Sequence, residues 1–194
     1  MLILASQSPR RAELLRNAGI SFEVCPADVD ESVRAGEESL EYVKRLAKEK
    51  ALAVLEATPS GSVVLGADTT VVIDGESLGK PVDAEDARRM LERLGGRLHQ
   101  VMTGVCVAWR DADGAAVAEV DAEVTEVEFA AMRAEEIAEY VASGEPMDKA
   151  GAYAIQGRAS RWIPRIHGCY FNVVGLPVAR VCAMLARAQQ EKGA

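Results

Sequence analysis

Hydrophobic positions along the chain follow two periods. Leu2–Ala5 and residues 20–24 are short apolar runs that predict strands, and a third run spans residues 63–67. Leu40, Val43, Ala47, Val54 and Leu55 keep helical spacing until Thr58-Pro59, and Ala87, Met90, Leu91 and Leu94 do the same between Asp83 and Gly95-Gly96. Val101, Thr103, Val105, Val107 and Trp109 alternate strictly. That pattern predicts a strand with one buried face, which Asp113-Gly114 turns onto Val120, Ala122 and Val124. Ile137, Tyr140 and Val141 mark a short helix closed by Gly144, and residues 163–174 return to β character. Pro177 then opens a last helix with Val181, Cys182 and Leu185 inward. Helices alternating with strands, with hairpins among them, predict an α/β chain with a mixed sheet flanked by helices.

Two places break this pattern with charge. Ser8 suits a helix N-cap and Pro9 the first helical position, so Arg10 and Arg11 fall in the first turn. Unpaired backbone N–H groups already gather positive potential there, and each unanswered cation costs about 0.3–1 kcal/mol. Either an anion meets them, with Ser6 and Ser8 completing a phosphate cradle, or both arginines point into water. Further along, Asp68 interrupts an apolar run that Val71–Ile73 would continue to the Asp74-Gly75 turn. With no turn signal beside it, a site role outweighs a self-capping one. Lys44, Arg45, Lys48 and Lys50 read mainly as a solvated helix face.

Composition narrows the chemistry. With 194 residues and 49% hydrophobic content the chain can bury a proper core. A net charge of -8 and only 5% aromatic residues argue against a nucleic-acid polymer as partner. Neither a signal peptide nor a membrane span is expected. Cys25, Cys106, Cys169 and Cys182 lack ligand spacing and read as reduced, mostly core-filling thiols of a cytoplasmic protein. His99 and His167 read as structural or surface residues. Walker, GxGxxG, HExxH and nucleophile-elbow motifs are absent. What remains is a set of carboxylates (Glu31, Asp68, Asp148) and cations (Arg10, Arg11, Lys50, Lys80, Lys149). Such a set suits hydrolysis of a phosphoanhydride with Mg²⁺ or Mn²⁺.

Ordered motifs then carry a family resemblance over nearly the whole chain. They are Leu4-Ala5-Ser6-Gln7-Ser8-Pro9-Arg10-Arg11, Leu65-Gly66-Ala67-Asp68-Thr69, Leu78-Gly79-Lys80-Pro81, the stretch from His99 to Val105, Asp148 through Gly157, and Asn172-Val173-Val174-Gly175-Leu176-Pro177. The sequence resembles the Maf-like nucleoside triphosphate pyrophosphatases, also called septum-formation inhibitor proteins. The resemblance implies one Maf-like domain over residues 1–194, its mixed twisted sheet forming two lobes around a central cleft (Maf/ITPase-like), and a homodimer. It implies metal-dependent hydrolysis of a nucleoside triphosphate to the monophosphate and pyrophosphate. Asp68 is then the proton acceptor, with Glu31, Lys50 and Lys80 tied to activity and Asp68 and Glu31 to the metal. Ser6, Ser8, Arg10, Arg11, Thr69, Lys149 and Gln156 would bind substrate, Arg10, Thr69 and Gln156 setting its choice. The Gln156 amide, both donor and acceptor, suits thymine or uracil, where a 7-methyl-GTP-specific branch has an acceptor-only glutamate. The resemblance therefore points to dTTP and UTP, with 7-methyl-GTP or purine specificity, or a nucleotide-binding regulator of cell division, as alternatives.

Overall fold

The computed structural model describes residues 1–193. Its strands are β1 (Leu2–Ala5), β2 (Glu23–Val24), β3 (Val63–Ile73), β4 (Glu76–Leu78), β5 (Leu98–Arg110), β6 (Ala116–Glu128) and β7 (Arg165–His167). They form one sheet in the order β2-β1-β3-β5-β6-β7, with β4 paired to β3. β1 is parallel to both neighbours and sets Leu4 opposite Leu65 and Ala5 opposite Gly66, whereas β3–β4 and β6–β7 are antiparallel. The sheet is mixed, as the pattern predicts. The β3–β4 turn is tight because Asp74 and Gly75 both adopt positive φ, 55° and 78°. The helices are α1 (Pro9–Asn17), α2 (Ser39–Glu56), α3 (Ala84–Leu94), α4 (Ala134–Ala142), α5 (Tyr170–Val174) and α6 (Val178–Gly193).

The chain divides into two compact units, and β3, β5 and β6 each contribute to both. The first takes residues up to Asp68, then Thr103–Glu123, then the segment from Gly175. In it, α2 buries Ala47, Ala51, Val54 and Leu55 against Ile3, Ala5, Val64, Cys106 and Ala108, joined by Ala118 and Val120 of β6. Alternation turns Glu119, Asp121 and Glu123 to the other face of β6. There Arg180 and Arg187 of α6 pair with them. The second unit comprises Thr69–Met102 and Val124–Val174. Here Asp83 caps α3 by accepting from the Asp86 N–H at 2.8 Å, and α3 packs on α4.

Several elements differ from the sequence pattern for identifiable reasons. β2 is two residues rather than five, because Ile20 completes the α1 terminus, its N–H donating to Leu15 O beside Gly19 at φ 72°. β5 is buried on both faces from Val105 to Trp109, not on one, since helices cover both sides of this part of the sheet. β3 runs unbroken through Asp68. Only β7 and α5 occupy residues 163–174. Tyr170-Phe171-Asn172-Val173-Val174 is helical despite its β-forming residues, because the buried Asn172 amide donates to Val101 O and Thr125 Oγ1, both at 3.0 Å. Cys106 is the one buried cysteine, and Cys182 is exposed rather than inward.

Candidate active site

Two glycines place the centre of the candidate site. A Cβ on Gly66 of β3 would lie 2.2 Å from Ala47 O, and one on Gly104 of β5 equally close to Val43 O, so the α2 backbone rests directly on both strands. Gly66 and Asp68 share a strand face, and Lys50 follows Ala47 by three residues on the same helix face. The Lys50 ammonium consequently meets Asp68 Oδ1 at 2.6 Å, and it also reaches Glu31 Oε1 at 2.6 Å. Lys50 and Asp68 are both buried, at 8% and 9% exposure. Lys50 is therefore a buried counter-ion, not part of a solvated face.

The same helix flank holds the loop that brings in Glu31. Arg45 donates to Glu37 through Nε (2.5 Å) and Nη2 (2.8 Å), to Ser32 O (3.0 Å) and to Glu49 (3.0 Å). Its guanidinium holds the Glu37 carboxyl down at about 2. The Tyr42 hydroxyl donates to Glu31 O at 3.0 Å. Burial, together with the negative charges of Asp68 and Glu31, pushes that phenol up to about 12. Arg45 and Tyr42 thus fix the entry of Glu31, a role the sequence pattern does not flag because it separates them from the loop by a helix turn or more.

Beside this cluster in the first unit, Ser8 caps α1 by accepting from the Arg11 N–H at 3.5 Å. Ser6 Oγ accepts from the Ser8 N–H (3.2 Å) and Arg11 Nη1 (3.0 Å). Arg11 further donates to Gly175 O (2.8 Å) and to Ala67 O (3.0 Å), the residue before Asp68. Burial draws the Arg11 pKa down, opposed by the Asp68 carboxylate. Two carbonyls and the Ser6 hydroxyl thus accept from this arginine. It braces the middle of β3 beside Asp68, while Arg10 lies half-buried in the same first turn.

In the second unit, Thr69 shares its strand face with Val71. Gly151, at φ 68°, sits so close that a Cβ there would lie 2.8 Å from Val71 Cγ2. The Gly151 N–H donates to Gly79 O at 3.0 Å, which joins the loop bearing exposed Lys80 to the segment bearing Lys149. Lys149 Nζ donates to Asp148 and, at 3.1 Å, to Glu145 O. Gln156 is exposed at the turn that follows. The structure thus gathers Ser6, Ser8, Arg11, Glu31, Lys50 and Asp68 in the first unit, and Lys80 and Lys149 near one another in the second.

Among the described residues no cluster of three or more His, Cys, Asp or Glu forms a metal cage. Asp68 and Glu31 nevertheless present hard oxygens around one Lys50 ammonium. Such a pair fits Mg²⁺ or Mn²⁺, which takes one or two protein carboxylates and completes its shell with phosphate and water.

Residues 1–188 match the family model described as Maf-like protein. A dTTP/UTP pyrophosphatase of Anaeromyxobacter sp. (strain Fw109-5) is 56% identical over 96% of this chain and 89% of its own length. One from Koribacter versatilis (strain Ellin345) is 54% identical over 96% and 94%, and one from Symbiobacterium thermophilum 53% over 96% and 93%. The solved Staphylococcus aureus Ham1 protein shows a partial likeness, with a TM-score of 0.47 at 18% identity over 66% of this chain and 71% of that one.

Proposed function

The chain belongs to the Maf-like protein family, and from that premise we propose that it hydrolyses dTTP and UTP to the monophosphate and pyrophosphate. Three relatives more than half identical to it carry the name dTTP/UTP pyrophosphatase, which supports the substrate class. The observation that carries the chemistry is the strand-borne Asp68 carboxylate held at 2.6 Å from the buried Lys50 ammonium. A carboxylate so fixed can orient a water and accept its proton as the water oxygen bonds to the α-phosphorus and the bond to the β-phosphate oxygen breaks. Lys50 and Lys80 offset the charge on the departing pyrophosphate, Ser6, Ser8 and Lys149 complete phosphate binding, and Arg10 contacts the nucleotide and contributes to its choice. Arg11 joins this phosphate cradle and also braces Ala67 and Ser6. Asp68 and Glu31 would hold a divalent cation, which when bound supplies Lewis-acid stabilisation of phosphate charge. Gln156 presents a donor and an acceptor to the N3–H and O4 edge of thymine or uracil, and Thr69 contributes to substrate choice.

The scattered free cysteines suit a reducing cytoplasm, and no helix among the described residues is long and apolar enough to cross a membrane. We assign a homodimer on the family resemblance, which light scattering of the purified protein checks. The catalytic reading is tested with Mg²⁺ and a panel of dTTP, UTP, CTP, GTP and 7-methyl-GTP. Pyrophosphate release from dTTP and UTP should exceed that from the others by about tenfold or more. Release of orthophosphate, or a preference for 7-methyl-GTP, would overturn it.

A further inference from the structure

Gln156 sits on no strand or helix; its turn is held from outside. The Gly157 N–H donates to Ala154 O at 3.0 Å, closing residues 154–157 into a tight turn. Both ends of this turn are then gripped. At the front, the Ala154 N–H donates to the Tyr140 hydroxyl at 3.2 Å. At the back, the Arg158 N–H donates to both oxygens of Glu145, at 3.0 and 3.2 Å. The two grips are one device, because the Tyr140 hydroxyl donates to Glu145 Oε1 at 2.8 Å. Gly157 is pressed against it, so that a Cβ there would lie 2.3 Å from Glu145 Oε1. Tyr140 is 1% exposed and its ring packs on Trp162 at 5.5 Å, so the clamp stands on the core of α4. On the inner side of the turn, Tyr153 is buried with its hydroxyl 2.8 Å from His99 Nε2, and Ile155 is buried as well. Only Gln156 is left to point outward.

We propose that Tyr140 and Glu145 are positioning residues for base selection: through backbone N–H groups they fix the turn that presents the Gln156 amide, and so set how strictly thymine and uracil are preferred. This rests on the reading of Gln156 as the base-reading residue. The physical reason is that an amide discriminates only if its donor and acceptor are held in register with the base edge. A turn lacking regular secondary structure supplies that register only when its termini are tied. Neither Tyr140 nor Glu145 needs to touch the nucleotide.

The test compares kcat and KM for dTTP and GTP in Tyr140→Phe, Glu145→Ala, Glu145→Gln and Gln156→Ala, with melting temperature recorded alongside. Tyr140→Phe keeps the buried ring and removes only the hydroxyl that ties the two grips. It and Glu145→Ala should lower the dTTP:GTP ratio of kcat/KM by about tenfold, mainly through a higher KM for dTTP, with kcat changed less than about threefold. Glu145→Gln retains a carbonyl oxygen that can accept from both Tyr140 and the Arg158 N–H, and should restore most of the ratio. If Gln156→Ala collapses the ratio while Tyr140→Phe, folded by its melting temperature, keeps it, the clamp proposal is wrong and the base-reading role stands. If Gln156→Ala itself leaves the ratio unchanged, the underlying reading of Gln156 is wrong and the clamp has nothing to position. Equal losses of kcat on both nucleotides in the clamp variants would mark a merely structural role and equally overturn the proposal.

Discussion

Lys50 and Asp68 are a buried pair whose two members are not equivalent. Removing the lysine leaves the buried Asp68 carboxylate without its 2.6 Å partner and with only the charge of Arg11 nearby, whereas neutralising the aspartate leaves Lys50 in direct contact with Glu31. Breaking a buried pair on the uncompensated side typically costs about 3 kcal/mol or more. Lys50→Met should therefore lower the urea unfolding free energy by about that amount, and Asp68→Asn by less than about 1 kcal/mol. Turnover should fall more than about 100-fold in both, because one loses the proton acceptor and the other its electrostatic partner. Equal stability losses would show that Glu31 does not stand in for Asp68. His99 gives a separate residue-level signature. Burial lowers its pKa to about 4, and among the described residues its Nδ1 has no hydrogen-bond partner. The unfolded chain takes up this proton near the ordinary value of about 6.5, the folded chain only near 4, so the unfolded state binds more protons between the two. Stability should be flat above about pH 6.5 and fall by about 3 kcal/mol as the pH drops to 4. Chemical denaturation at pH 7 and pH 5 measures this, and His99→Gln should flatten that window.

Packing of α2 on β3 and β5 is the element-level cause of the site. Gly66→Ala would set a methyl 2.2 Å from Ala47 O, a backbone atom that cannot swing aside, so α2 must lift from the sheet. The expected cost is about 3 kcal/mol, with a loss of turnover larger than the fraction unfolded explains, because Lys50 moves with the helix. A Gly66→Ala protein of parental stability and activity would refute that account. Much of this level is legible in the sequence. Ser8-Pro9, Asp83 and Asp74-Gly75 announce helix starts and a turn through local chemistry, and α2 and α3 follow their apolar spacing. Contacts distant in sequence are not legible in this way. Nothing local shows that the Arg11 guanidinium is spent on Gly175 O, 164 residues away, or that residues 170–174 turn helical around the Asn172 amide. The Gly66 and Gly104 close approaches appear in sequence only as glycines within strands, which permit a backbone contact without identifying the partner. Of the candidate site, Asp68 stands out as a carboxylate in an apolar run, and Arg10 and Arg11 as cations misplaced at a helix start. The Arg45–Glu37 and Tyr140–Glu145 ties emerge only in three dimensions.

The whole molecule carries a formal net charge of -8, yet its proposed substrate is strongly anionic. On the proposed function, cationic side chains such as Arg10 and Lys50, and a divalent cation at Asp68 and Glu31, would offset that charge locally. Lys50 already compensates those carboxylates, so the proposed metal would serve turnover and not folding. Chelation should accordingly reduce hydrolysis to background, with recovery on adding Mg²⁺ or Mn²⁺, while the melting temperature of the substrate-free protein moves by less than about 2 °C, under 1 kcal/mol at this chain length. A large drop in melting temperature on chelation would place the metal in the fold instead. The central claim is that water, activated at Asp68, attacks the α-phosphorus. It is tested most directly by hydrolysing dTTP in ¹⁸O-labelled water and locating the label by mass spectrometry. The account predicts one ¹⁸O in dTMP and none in pyrophosphate, with the labelled product lost in Asp68→Asn. Label in pyrophosphate or orthophosphate, or undiminished labelling of dTMP by Asp68→Asn, would contradict it.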